Sequence, residues 1–254
     1  MRVFGFIWVR QGGGMNPFDR TILEFFNRFS QRSWTFDNVI YLLTHAEFLK
    51  GGIVVAVLWA LWFSSDKEAA AVESRKTVLA TFAGSFLALF LSIILTITLP
   101  FRLRPLHQPD FNFLLPFGIH TGVLEGRSAF PSDHATLFAG LVTGIFLISR
   151  RLGFFSIIYV FLIVLSPRMY LGIHYPTDIL AGILLGCVCV LVTNGSKIKK
   201  TITDPVLEWS EKYPHLFYGA FFILLCETAE LFGGFRHFGR ELLPIAKTLA
   251  HRLF

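Results

Sequence analysis

Three short segments carry residue types suited to phosphoryl chemistry: Arg104-Pro105, Pro131-Ser132-Asp133-His134, and Arg168 followed by His174 and Asp178. A neutral imidazole becomes a nucleophile when a hydrogen bond at one ring nitrogen leaves the other lone pair free. Asp178, four residues after His174, is expected to make that bond. Arg104 and Arg168 offer planar guanidinium forks that hold phosphoryl oxygens bidentately and meet the charge that develops on them. His134 suits protonation of a leaving oxygen and later deprotonation of an attacking water. An isolated histidine near a helix end is usually structural. Two His, two Arg, a Ser and an Asp converging at the ends of apolar segments point to function, because ionisable residues at membrane spans rarely lack a role.

The elements that must position these residues are apolar. Of 254 residues, 54% are hydrophobic and only 16% charged, with 29 Phe, and the mean hydropathy is +0.59. That composition excludes an ordinary soluble domain. The formal charge of +6 does not indicate nucleic acid, because the Lys and Arg residues fall between apolar runs instead of forming one clustered face. Cys187, Cys189 and Cys226 lie inside apolar runs and form neither a metal site nor a disulfide framework. No signal-peptide pattern occurs at the N-terminus, and Met15 is a second candidate start.

Along the chain, residues 22–43 alternate charge with bulky apolar side chains and predict an amphipathic helix lying in the membrane interface. Apolar runs follow at 51–64, extendable back to Ala46, and at 77–100, 135–149, 154–167 and 179–193. A last run, 215–233, contains Glu227 and Glu230, which makes it a poor lipid-facing span. The loops 101–132 and 168–178 carry the chemistry-bearing residues, and a connection of about 30 residues is usually functional.

Pro131 and Ser132 precede an apolar run as N-cap residues do, so free N–H groups and the positive helix end face the site. Pro176 falls near the first helical position of the next run, with Asp178 in its first turn. If the runs alternate, Lys67, Arg75, Lys76, Arg150, Arg151, Lys197, Lys199 and Lys200 share one side, which is expected to be cytoplasmic. The loops holding Arg102, Arg104, Arg127 and Arg168 open on the other face, where an anionic ligand would explain arginines that run against the charge bias. The C-terminal Arg236, Arg240, Lys247 and Arg252 alternate with apolar residues as in a membrane-surface helix.

These residues give the chain a resemblance to the type 2 phosphatidic acid phosphatase superfamily, which also contains vanadium-dependent haloperoxidases. The resemblance covers residues 20–195. Arg168, His174 and Asp178 stand at the spacing of the third signature segment. The second, Pro-Ser-Gly-His in the family, reads Pro131-Ser132-Asp133-His134, and the Asp is similar to bacterial members that resemble undecaprenyl diphosphate phosphatases. In the first, Ile97 stands where the family has a Lys, seven residues before Arg104, and Arg102 is expected to replace it. The resemblance implies that His174 attacks phosphorus, Asp178 orients it and His134 is acid and base. It implies further that Arg104, Arg168 and Ser132 bind phosphate in a cradle that includes Asp133, without a metal or other cofactor.

The sequence therefore predicts an all-α, polytopic membrane helical bundle of five or six transmembrane helices with an amphipathic N-terminal helix. Residues 1–19 form an extension, 20–195 the membrane phosphatase domain, and 196–254 a C-terminal amphipathic region with a possible sixth membrane segment. The expected activity is hydrolysis of a membrane lipid phosphate or polyprenyl diphosphate at the outer face of a bacterial inner membrane. A catalytically inactive scaffold or transporter that keeps the fold is the alternative, motivated by Ile97 and Asp133. A haloperoxidase would share the site, but the multiple spans argue against it. Oligomeric state and the identity of the lipid are not legible.

Overall fold

The computed structural model describes residues 15–64, 67–120, 122 and 124–233, all helix and loop with no strand among them. The readings made for residues 1–14 and for the basic tail at 236–252 lie outside the described residues.

Helices α1 (Pro17–Asn27) and α2 (Trp34–His45) occupy the region read as one amphipathic helix. The chain breaks between them at Gln31, whose φ of 61° is left-handed, and Ser33 caps the second helix by accepting from the Phe36 amide. Asp19, Leu23 and Asn27 are buried on α1 while Phe18, Phe25 and Phe29 are exposed. The four-residue spacing of the buried set gives the helix one inward stripe and one apolar outer face, as an interfacial helix requires. A π turn at Phe48–Gly52 leads into α3 (Ile53–Trp62), and this unit is bent by 66° from α2.

The centre of the bundle is α4 (Glu68–Thr98), α5 (Asp133–Ile148) and α8 (Pro176–Thr193), which pack on one another more than on anything else. Small residues let them approach closely. A Cβ added at Gly186 of α8 would lie 2.2 Å from the Thr136 carbonyl oxygen of α5, so only glycine permits this crossing. Leu137, Phe138, Leu141 and Ile145 of α5 are fully buried in the core.

Helix α6 (Arg150–Val160) continues through a π turn at Phe161–Leu165 into α7 (Ser166–Tyr170). Proline lacks an N–H and crowds the carbonyl four residues back, and the wider π turn just before Pro167 lets the helix pass through it. The sequence reading ended this helix at Pro167 and put Arg168 in a loop. The structure instead puts Arg168 in the last helical turn, buried, with a fixed backbone.

Helix α9 (Ser196–Lys212) lies at the opposite end, joined to α4 by ion pairs Lys76–Asp204 and Lys199–Glu73. Helix α10 (Pro214–Ala229) buries Phe217, Phe221 and Leu225, and Phe217 and Phe221 pack in an aromatic cluster with Trp59 and Trp62.

By length and composition, α4, the continuous α6–α7 unit and α8 can each cross a membrane, and the bent α2–α3 pair gives up to a fourth span. Helices α5 and α10, with 16 residues each, are apolar but shorter than the ~20 residues of a full crossing. The protein is an integral membrane helical bundle, with three or four full-length spans among the described residues beside the two shorter apolar helices. The C-terminal end of α4, the N-terminal end of α5, α7 and the N-terminal end of α8 meet at one end of the bundle, as alternation of the runs predicts.

Candidate active site

A cleft of about 840 Å³ opens at that end, lined among others by Arg104, Arg127, Asp133, His134, Arg168 and His174. Tertiary structure thus brings together residues separated by up to 70 positions. Ile97, the residue at the family's Lys position, lines the same cleft.

His174 follows a turn that needs Gly172 at φ 65°, where a side chain would also strike the Phe113 ring. Its Nδ1 lies 2.8 Å from the Ala129 carbonyl oxygen and 3.7 Å from Asp178 Oδ2. A carbonyl can only accept, so Nδ1 carries the proton and Nε2 keeps the lone pair. The expected hydrogen bond from His174 to Asp178 is therefore replaced by one to the Ala129 carbonyl, with the carboxylate close by as a charge. Burial pushes the His174 pKa below its ordinary 6.5; the Asp178 side chain raises it in opposition, and Arg104 lowers it further. The ring is neutral at physiological pH, with Nε2 facing Arg104 Nη1 at 3.5 Å.

Arg104 is held by donation from Nη1 to the Ile173 carbonyl (2.7 Å) and from Nη2 to the Ser128 carbonyl (3.2 Å). Its Nε is buried without a partner, and the same is true of Arg168 Nε. Arg168 is 6% exposed, and no acceptor for its guanidinium occurs among the described residues. Burial lowers the Arg104 pKa to about 10, so the group stays cationic at neutral pH. Two buried guanidinium groups with unmet donors at the wall of one cleft can hold an anion, which would offset the desolvation they suffer.

Ser132 is fully buried as the N-cap of α5, its Oγ accepting from the Ala135 amide at 3.5 Å. Asp133 accepts from Ser92 Oγ of α4 at 2.7 Å, which ties down part of the charge standing where the family has glycine. His134 lines the cleft one residue further on.

Arg102 is not at the cleft. Its Nη2 donates to Asp19 Oδ2 (2.8 Å), its Nη1 donates to Thr177 Oγ1 (3.0 Å) and to Asp178 Oδ1, and its guanidinium stacks on Tyr175 at 4.0 Å. The expectation that it replaces the phosphate-binding Lys is therefore corrected: two buried carboxylates engage it away from the cleft. The cleft's third arginine is Arg127, exposed on the long loop.

Sequence reasoning missed Asp19, Thr177 and Ala129. Asp19 accepts from the Thr177 amide (2.9 Å) and hydroxyl (2.7 Å), fixing the start of α8. Within its own segment Asp19 has the pattern of an ordinary first-turn acid, and a backbone carbonyl such as that of Ala129 leaves no trace in residue type. Among the described residues no three His, Cys, Asp or Glu side chains converge as a metal site.

An all-helical membrane bundle with three arginines and two histidines around one cleft defines a class, and the comparisons agree with it. Residues 76–201 match the family model described as the PAP2 superfamily, and the chain belongs to that superfamily. It is similar to the bacitracin transport permease protein BcrC of Bacillus licheniformis, 34% identical over 88 residues, or 35% of this chain and 43% of that protein. It is also similar to the putative undecaprenyl-diphosphatase YbjG of Escherichia coli K12, 39% identical over 61 residues, or 24% of this chain and 30% of that protein. The match thus spans less than half the length of either relative. No solved structure matches the chain.

Proposed function

We propose that this protein is a membrane phosphatase that hydrolyses a lipid phosphate or polyprenyl diphosphate through a phosphohistidine on His174. The observation that carries the proposal is the pair of buried, incompletely satisfied guanidinium groups of Arg104 and Arg168 at one cleft with the neutral His174 ring.

In the first step the His174 Nε2 lone pair attacks phosphorus while the bond to the leaving oxygen breaks and His134 gives that oxygen a proton. Arg104 and Arg168, with the amides at the start of α5, stabilise the equatorial oxygens. In the second step His134 takes a proton from water, the hydroxide attacks phosphorus, the P–N bond breaks, and inorganic phosphate leaves with His174 neutral again. The Nδ1 proton is held by Ala129 throughout, and the nearby Asp178 carboxylate stabilises the positive charge the ring gains on phosphorylation.

The basic residues gathered at the opposite end of the bundle support a cytoplasmic assignment for that end and an extracytoplasmic one for the cleft. The undecaprenyl-diphosphatase name of one relative supports a polyprenyl diphosphate. The permease name of the other favours a transporter, which would be expected to keep its polar residues near the bilayer midplane. Here they gather at helix ends.

The test is phosphate release by purified protein in detergent with EDTA, from undecaprenyl diphosphate and from phosphatidate, beside His174→Ala. Release that survives EDTA and vanishes in the variant supports the proposal. Absence of release from either substrate returns the chain to the inactive scaffold or transporter reading.

A further inference from the structure

A second chamber of about 300 Å³ adjoins the cleft and shares four wall residues with it: Leu124, His134, Arg168 and Leu231. The chamber holds a cation that the mechanism above does not use. Lys50, on the π turn between α2 and α3, is 3% exposed and donates one of its three N–H bonds to Glu47 at 2.9 Å. No other acceptor for this ammonium occurs among the described residues. Arg168, with no hydrogen-bonded acceptor of its own, stands in the same wall. Two carboxylates, Glu47 and Glu230, line the same chamber, but Glu230 is exposed and bonds neither cation, so the buried Lys50 and Arg168 still repel each other.

We infer that this chamber is a second anion subsite, in which Lys50 and Arg168 hold the inner phosphate of a lipid diphosphate while its terminal phosphoryl group occupies the cleft beside His174. The inference rests on the phosphatase reading and deepens it, selecting diphosphates over monophosphates. The two phosphorus atoms of a diphosphate share one bridging oxygen, so the subsites must be contiguous and have common walls. Arg168 and His134 are the polar residues common to both. His134 stands at the boundary, where the bridging oxygen leaves with the lipid monophosphate, and that is where the departing oxygen needs its proton. Ile119, Leu171 and Ile173 line the chamber beyond the phosphate and suit the first carbons of the lipid. Ile97 leaves the cleft without the family Lys, and Lys50 restores a cation from a different helix at the inner phosphate.

The experiment compares a polyprenyl diphosphate with the corresponding monophosphate for the full-length protein, Lys50→Gln and Lys50→Arg, all monodisperse in detergent. Lys50→Gln should lower kcat/KM for the diphosphate about 10- to 100-fold, with monophosphate hydrolysis unchanged within about threefold, and Lys50→Arg should recover most of the loss. Equal losses on both substrates, or none on the diphosphate, overturn the subsite. Binding of the non-hydrolysable methylenediphosphonate gives a readout independent of turnover. It should exceed that of orthophosphate, weaken in Lys50→Gln and strengthen in Glu47→Gln, which removes the acid bonded to Lys50. Should Lys50→Gln fail to fold, Glu47→Gln decides the matter, and unchanged affinity for the diphosphonate overturns the inference. A wild-type protein that binds the diphosphonate through Lys50 yet releases no phosphate retains the subsite and loses the phosphatase reading.

Discussion

Asp19 and Asp178, 159 positions apart in the sequence, share the guanidinium of Arg102, and each is fully buried. Through this bridge the interfacial helix α1 is fastened to the first turn of α8, directly behind His174. Removing the shared cation leaves two uncompensated buried carboxylates, a change that costs about 3–5 kcal/mol when one partner of a buried pair is lost. Arg102→Ala is therefore expected to lower the Tm and kcat together while KM stays near the wild-type value. A selective rise in KM would instead make Arg102 a phosphate ligand. Arg102→Lys should rescue poorly, because one ammonium lacks the flat fork that reaches both acids.

Arg168→Met should behave in the opposite sense for stability. The guanidinium is buried without a hydrogen-bonded acceptor, so an apolar residue of similar length relieves desolvation and leaves the Tm unchanged or higher. Phosphate release should fall about 10²- to 10³-fold, the usual scale for loss of a transition-state donor. A variant that loses activity only because it unfolds in a thermal melt would refute this separation.

The pH dependence follows from His174. Its folded pKa is depressed, mainly by burial, so the nucleophile remains unprotonated below the ordinary 6.5 and the acid limb of kcat/KM should lie under that value. Asp178 raises the His174 pKa, so Asp178→Asn should move the acid limb to still lower pH. The stability linkage has a definite sign. As pH falls through 6.5 the unfolded chain binds a proton that the folded ring refuses, so this histidine costs stability on acidification until the folded pKa is passed. His174→Ala should flatten that part of a Tm-against-pH curve.

Gly186→Val tests the central crossing. The new side chain would meet the Thr136 carbonyl at a separation no real Cβ tolerates, and α8 has to move away from α5. A loss of about 1–3 kcal/mol in stability is expected, the scale of overpacking a tight interior. Because α5 and α8 present Ser132, His134 and Asp178, activity should fall with stability. A melt at the wild-type temperature would show that the crossing is looser than the structure describes.

How much of this was legible in the sequence depended on whether the interaction was local. Apolar runs set by the bilayer produced α4, α5 and α8 close to their expected places, and Pro176 and Asp178 sit in the first turn of α8 as helix-capping chemistry requires. The alternation of those runs was enough to bring Arg104, His134, Arg168 and His174 to one end. The expected single helix at 22–43 failed because a left-handed residue, Gln31, breaks the chain inside a continuous amphipathic pattern. The helix through Pro167 was misjudged because a π turn, invisible in composition, absorbs the proline.

The sequence by itself determined the membrane class and the family motifs, and it singled out Arg104, Asp133, His134, Arg168 and His174 of the cleft, since these follow from residue type and from spacings of a few positions. Only the tertiary structure decided which partner each group received. Arg102 looked like a phosphate ligand because it is two residues from Arg104, yet it turns to Asp19 and Asp178. Asp178 looked like the partner of His174, yet it is the Ala129 carbonyl that accepts the Nδ1–H hydrogen bond. Lys50 gave no sign at all until helix packing put it beside Arg168. Pairings of this kind depend on distances across helices, and those are set when apolar faces bury against one another, a step that the order of residues along one segment does not encode.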